Sequence, residues 1–140
     1  MQNISSSLFQ NRRALIADPD VPFVRSLKTF LEALGFEVRS AGSAEEAERM
    51  ALESSPDLLI TEILLEHPDS GFILAHRLRR RIPAVRIVVV SNVSFRTGLH
   101  FDLSDSESRA WIEADGILDK DIRFEQLEFV LTRLFKEERS

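Results

Sequence analysis

Pro56-Asp57-Leu58-Leu59-Ile60-Thr61-Glu62-Ile63-Leu64-Leu65 is the stretch on which the fold turns. Asp57 to Ile60 is short and almost continuously apolar, and it follows a proline. Such a run reads as a strand buried on both faces of a parallel sheet. One carboxylate, Glu62, stands near its end. Open α/β sheets place their chemistry at the C-terminal ends of strands, so Glu62 is the first candidate functional residue.

Upstream of this strand, residues 1–11 are polar and read as a loose, flexible lead-in to a single domain over 12–140. Arg13 to Ala17 forms a first strand, ended by Asp18-Pro19-Asp20. A helix is expected from Pro22 to Leu34, because Phe23, Leu27, Phe30, Leu31 and Leu34 keep helical spacing and Gly35 stops it. Phe36 to Ser40 makes a second strand. Ser43 caps the next helix, with Glu46 three residues on as its capping-box partner.

Downstream, a loop over 66–70 leads to a third helix, expected from Gly71 to Arg81 and stopped by Pro83. Arg86-Ile87-Val88-Val89-Val90-Ser91 is a β-branched fourth strand. Asn92 to Leu103 is the least regular piece. Ser104 and Glu107 look like a second capping box, opening a helix with Trp111 and Ile112. Gly116 to Asp119 forms a fifth strand, and a last helix runs from Arg123 to Glu137. Five βα units with short connections give a doubly wound parallel sheet, with right-handed crossovers placing helices on both faces.

Composition narrows the function. The chain has 140 residues, 44% of them apolar, enough for one domain with a real core. A net charge of −5 argues against a nucleic-acid or membrane-surface partner. With no cysteine there is no thiol chemistry or Cys-based metal site. The N-terminus lacks the features of a signal peptide, and no run is long enough to cross a bilayer. A cytoplasmic protein is the expectation. His67, His76 and His100 lack metal-ligand spacing and read as surface residues. Arg77, Arg79, Arg80 and Arg81 read as the solvated end of the third helix.

Five positions give the chain a resemblance to response-regulator receiver domains, covering about residues 12 to 137. Asp18 ends the first strand, where receivers carry the first of two acids that hold Mg²⁺. Pro56 to Ile60 matches the entry to the strand that bears the phosphoacceptor aspartate. Ser91 ends the fourth strand, where a hydroxyl touches the phosphoryl group. Ala114-Asp115-Gly116 precedes the fifth strand in the family manner. Lys120 follows it, where the family places a cation. The resemblance implies a flavodoxin-like sheet of order 2-1-3-4-5.

The sequence departs from the family at the chemistry. Glu62 replaces the phosphoacceptor, and its longer side chain displaces the carboxylate by over an ångström, where about 1 Å can cost roughly 10²-fold in rate. Pro19 replaces the second metal acid, leaving Asp18 and Glu62, with Asp20 nearby, as the only ligands for an Mg²⁺ that is expected to bind weakly or not at all. Ile117 replaces the aromatic switch residue. Asp121 replaces the usual proline after the lysine, and Asn92 replaces a small residue.

Several roles stay open in the sequence. Glu62 is either a solvated strand-end acid tied to Lys120 or a permanent imitation of the phosphorylated state. Asp20 reads as a helix cap, and Asp18 as a partner of Lys120. Ser91 is either an ordinary hydroxyl or a ligand contact. Phe95, Leu99, Phe101 and Leu103 would pack over the acidic pocket or form a binding surface, and packing is favoured because exposed apolar clusters are a liability.

The resulting expectation is a pseudo-receiver, not an enzyme and without a cofactor. It would act as a phosphorylation-independent interaction module for signalling proteins such as a kinase, an output domain or an adaptor target. A homodimer is left open, and both a stand-alone adaptor and an excised domain fit. The rival expectation is a working receiver that holds Mg²⁺ and accepts a phosphoryl group. A small-molecule-binding flavodoxin-like domain lacks support, because Ala17-Asp18-Pro19-Asp20 has no glycine to cradle a phosphate.

Overall fold

Strand β1 (Arg13–Ala17) opens the sheet and helix α1 (Val21–Leu34) follows it; then come β2 (Glu37–Ala41), α2 (Ala44–Ser54), β3 (Leu58–Glu62), α3 (Ser70–Arg81), β4 (Arg86–Ser91), β5 (Gly116–Asp119) and α4 (Phe124–Lys136). The computed structural model describes residues 8–63, 65, 70–91, 114–121 and 123–136. The expected loop over 92–103, the helix opening at Ser104, Trp111, His67 and His100 lie outside them.

The strands form one sheet in the order β2-β1-β3-β4-β5, and every pairing is parallel. This is the expected order. Strand side chains alternate between faces, so a sheet covered on both sides must be apolar at every position. Leu15, Leu59, Ile87 and Val89 face a core built with Ala47, Met50, Leu74, Ala75 and Leu78 of α2 and α3. Ala14, Ile16, Leu58, Ile60, Val88 and Val90 face the other core, built with Leu27, Leu31, Leu127 and Leu131 of α1 and α4. All five residues of β3 are buried, which is why its sequence shows no alternation.

The helix ends follow local chemistry. Asp20 caps α1 by accepting a hydrogen bond from Phe23 N at 3.2 Å, and Gly35 ends it with a left-handed φ of 119°. Ser43 Oγ accepts from Glu46 N at 3.2 Å. The Glu46 carboxylate reaches back to Gly42 N at 3.0 Å, one residue earlier than a standard capping box would place it. Helix α3 begins hard against the end of β3. A Cβ on Gly71 would stand 2.0 Å from the Glu62 carbonyl oxygen, so only glycine permits this approach.

The packed part of the chain begins no later than Leu8. Phe9, inside the stretch expected to be a loose lead-in, is fully buried. It stacks on Phe36 at 5.0 Å and meets Phe135 edge-on at 5.6 Å. Arg12 and Arg86 lie over the Phe135 ring at 5.2 and 4.6 Å, and Arg86 Nε donates to Leu134 O at 2.7 Å. This aromatic plug closes the end of the sheet opposite Glu62. An isolated Leu8-Phe9 pair in a polar stretch gives no periodic signal, which is why the sequence missed it.

Candidate functional site

Strand register brings the candidate residues together. Ala17 pairs with Thr61, so the residues that follow, Asp18 and Glu62, stand abreast. Glu62 pairs with Val90, and Ser91 with Asp119, the residue before Lys120. Asp18 N donates to Ala41 O at 3.0 Å, extending the β1–β2 pairing by one residue and fixing where the aspartate sits. Asp18, Glu62, Lys120 and the backbone of Ser91 therefore share one edge of the sheet.

Lys120 is the hub. Its ammonium lies 2.9 Å from Asp18 Oδ2, 3.1 Å from Glu62 Oε1 and 3.7 Å from Asp20 Oδ2. It also stands 4.8 Å from the centroid of the Phe23 ring, a cation–π approach. Asp18 Oδ1 accepts from Asp20 N at 2.9 Å, and Glu62 Oε2 accepts from Ile63 N at 2.6 Å. Asp18 Oδ2 is buried and faces the Lys120 ammonium at 2.9 Å, a charge-assisted contact that holds the two together.

The electrostatics follow from burial. Burial pushes the Asp18 carboxyl above its ordinary value, against the opposing pull of Lys120 and of the Asp20 N–H. Burial alone would lower the Lys120 pKa, but contact with Asp18 and Glu62 overcomes it and holds the ammonium above its ordinary value. With the three groups charged, the trio carries one net negative charge.

Glu62 is only 6% exposed, so it is not the solvated strand-end acid that one reading of the sequence expects, although it is tied to Lys120. Asp20 caps α1 as expected while flanking the lysine. Ile117, like Ala114, packs against the α2–α3 core. Ser91 ends β4 as expected; its side chain lies outside the described residues.

Two features escaped the sequence reading. Helical spacing places Phe23 on an apolar helix face, yet its ring also flanks Lys120. Its place three residues after Asp20, in the first turn of the helix that opens beside the site, was the available signal. The arginine run is also not uniformly solvated. Arg77 Nη1 donates to Glu48 Oε1 of α2 at 3.0 Å. Arg79 Nη2 meets Asp115 Oδ2 at 2.7 Å, and the same oxygen accepts from Ile87 N at 2.8 Å. Asp115 thus fastens the start of β5 to β4, and Arg79 neutralises it.

The family resemblance implies Mg²⁺, which takes about six oxygens in near-octahedral array at about 2.0–2.1 Å. The residues as arranged do not fit it. Asp18 and Glu62 turn their carboxylates onto the Lys120 ammonium, and Glu62 Oε2 is engaged by Ile63 N. Asp20 is committed to capping α1. Among the described residues, no cluster of three metal-ligating side chains is arranged to hold an ion. Among them, too, no helix is long and apolar enough to cross a membrane.

Comparison with known proteins places this geometry. Residues 14–132 match the model of the response regulator receiver domain. The photosynthetic apparatus regulatory protein RegA of Cereibacter sphaeroides is 30% identical over 90 residues, covering 64% of this chain and 48% of that protein. The DNA-binding transcriptional regulator NtrC of Azospirillum brasilense is 36% identical over 78 residues, covering 55% of this chain and 16% of that protein. The chain therefore spans less than half the length of these curated relatives. A two-component response regulator from Clostridium difficile has a solved structure that superposes with a TM-score of 0.76 at 25% identity, covering 93% of this chain and all of that one.

Proposed function

This chain belongs to the response regulator receiver domain family, and we propose that within it the chain is a pseudo-receiver: a phosphorylation-independent protein–protein interaction module in signal transduction, not an enzyme. One observation carries the reading. Glu62, at the strand end where the family resemblance puts the phosphoacceptor, is buried, with Oε1 ion-paired to Lys120 at 3.1 Å. A phosphorylated receiver gains about −1.5 to −2 of charge and three acceptor oxygens. Glu62 supplies a single permanent charge to the same cation, and so holds the pocket near one state. Pro19 in place of the second metal acid removes the usual means of bringing in a phosphodonor.

The partners proposed are proteins of a signalling chain, such as a kinase, an output domain or an adaptor target, in the cytoplasm. Phosphodonors would not alter their affinity for this domain. The test is intact-mass measurement after incubation with acetyl phosphate and Mg²⁺. The expected result is no adduct; a phosphoryl adduct that disappears in Glu62→Gln would overturn the proposal. A pull-down should recover the same partners with and without the phosphodonor, and recovery should change in Glu62→Gln.

A further inference from the structure

We infer that the acidic pocket is an ammonium site, filled from within by Lys120, and that it selects an organic ammonium over Mg²⁺. An ammonium has three N–H donors. Lys120 Nζ has three carboxylate neighbours, Asp18, Glu62 and Asp20, at 2.9, 3.1 and 3.7 Å. Its flank is the Phe23 ring, 4.8 Å away. An aromatic face attracts an ammonium but offers no ligand to Mg²⁺, which gives up its water reluctantly and then demands oxygen. Asp20 cannot turn into the pocket as a further ligand without releasing Phe23 N, and with it the cap of α1.

The burial of Asp18 Oδ2 shows why a cation must stay in the pocket. This buried oxygen faces the Lys120 ammonium at 2.9 Å. Such a group is costly to bury unless a charge stays opposite it. Tethering that cation to β5 makes the site independent of metal supply. It also ties the end of β5 to the ends of β1 and β3.

The inference rests on reading this pocket as permanent, and it fails separately from that reading, because its test uses no phosphodonor. Lys120→Ala removes a propylammonium-sized group and keeps the first carbon. Thermal unfolding of this variant is followed with propylammonium, with propan-1-ol and with MgCl₂ at matched ionic strength. The expected result is a melting temperature several degrees below the parent, raised saturably by propylammonium, not by propanol or Mg²⁺. The rise should vanish in the double variant Lys120→Ala, Asp18→Asn. Equal rescue by Mg²⁺, or no advantage of propylammonium over propanol, would overturn the inference. Should the variant not fold, the parent decides by Mn²⁺ paramagnetic broadening. Broadening confined to surface acids supports an internal ammonium. Saturable broadening centred on Asp18 and Glu62 at low-millimolar Mn²⁺ refutes it.

Discussion

Lys120 Nζ lies 3.1 Å from Glu62 Oε1, joining the residue after β5 to the last residue of β3 across the intervening strand β4. The pair is mostly buried, with side-chain exposures of 12% and 8%, so neither charge is well served by water. Its members are not equivalent. Glu62 leaves behind a lysine that still has Asp18, whereas Lys120 leaves behind two buried carboxylates.

The two single variants should therefore differ in size. Lys120→Ala should cost about 3–5 kcal/mol, the range for breaking a buried ion pair and stranding its partner. Glu62→Gln keeps the volume and one acceptor oxygen, for Ile63 N or for Lys120, and should cost about 1–2 kcal/mol. Urea unfolding measures both, and equal costs would show that Asp18 does not hold the lysine by itself.

Stability at alkaline pH should report the same cluster. The Lys120 pKa is raised in the fold above its ordinary 10.5. A cation stabilised by folding gives its full contribution below the unfolded value, and that contribution is lost as pH rises through the folded value. The parent should lose stability above about 10.5, and Lys120→Ala should lack that fall. Asp18 has the opposite bearing. Its folded pKa lies above 3.8, so its ionisation costs stability as pH rises from there through the folded value, and Asp18→Asn should remove that fall. Unfolding free energies measured across both pH ranges check the signs.

Gly71→Ala should destabilise although alanine is the better helix former. Its Cβ would fall 2.0 Å from Glu62 O and 2.7 Å from Ile63 Cα, both backbone atoms that no rotamer change can move. Overpacking costs about 1–3 kcal/mol or more, against a helix-propensity gain of about 1 kcal/mol. Contacts this short put the cost at the upper end of that range, so a net loss of about 2 kcal/mol in urea unfolding is expected, and a gain would mean that α3 can slide away from β3.

The arginine run should separate by partner. A double-mutant cycle on Arg79 and Asp115, both largely buried, should give a coupling of about 0.5–3 kcal/mol. Arg77 and Glu48 form a more exposed pair, worth about 0.2–1 kcal/mol. Arg81→Ala should stay within about 0.5 kcal/mol, as at an ordinary exposed position. Equal effects at positions 77, 79 and 81 would contradict the latch at Asp115.

What the sequence determined by itself was the set of elements and the edge that carries the site. β-branched runs, helical spacing, Gly35 and the caps at Asp20 and Ser43 are local signals, and among the described residues the strands and helices they predict stand within one or two residues of those positions. Asp18, Glu62, Ser91 and Lys120 could be placed together because each ends or follows a strand, and parallel strands bring such positions to one edge. Tertiary structure decided which charges meet. The distances from Lys120 to its acids depend on register across β1, β3, β4 and β5, and the burial of Glu62 depends on Gly71 bringing α3 against β3. Phe23 beside Lys120, Arg79 on Asp115 and Phe9 beneath Phe36 and Phe135 join residues on different elements, most of them far apart in the chain. No periodicity encodes such contacts: they arise only when separately folded elements pack, and there a charge takes whichever partner burial leaves within reach.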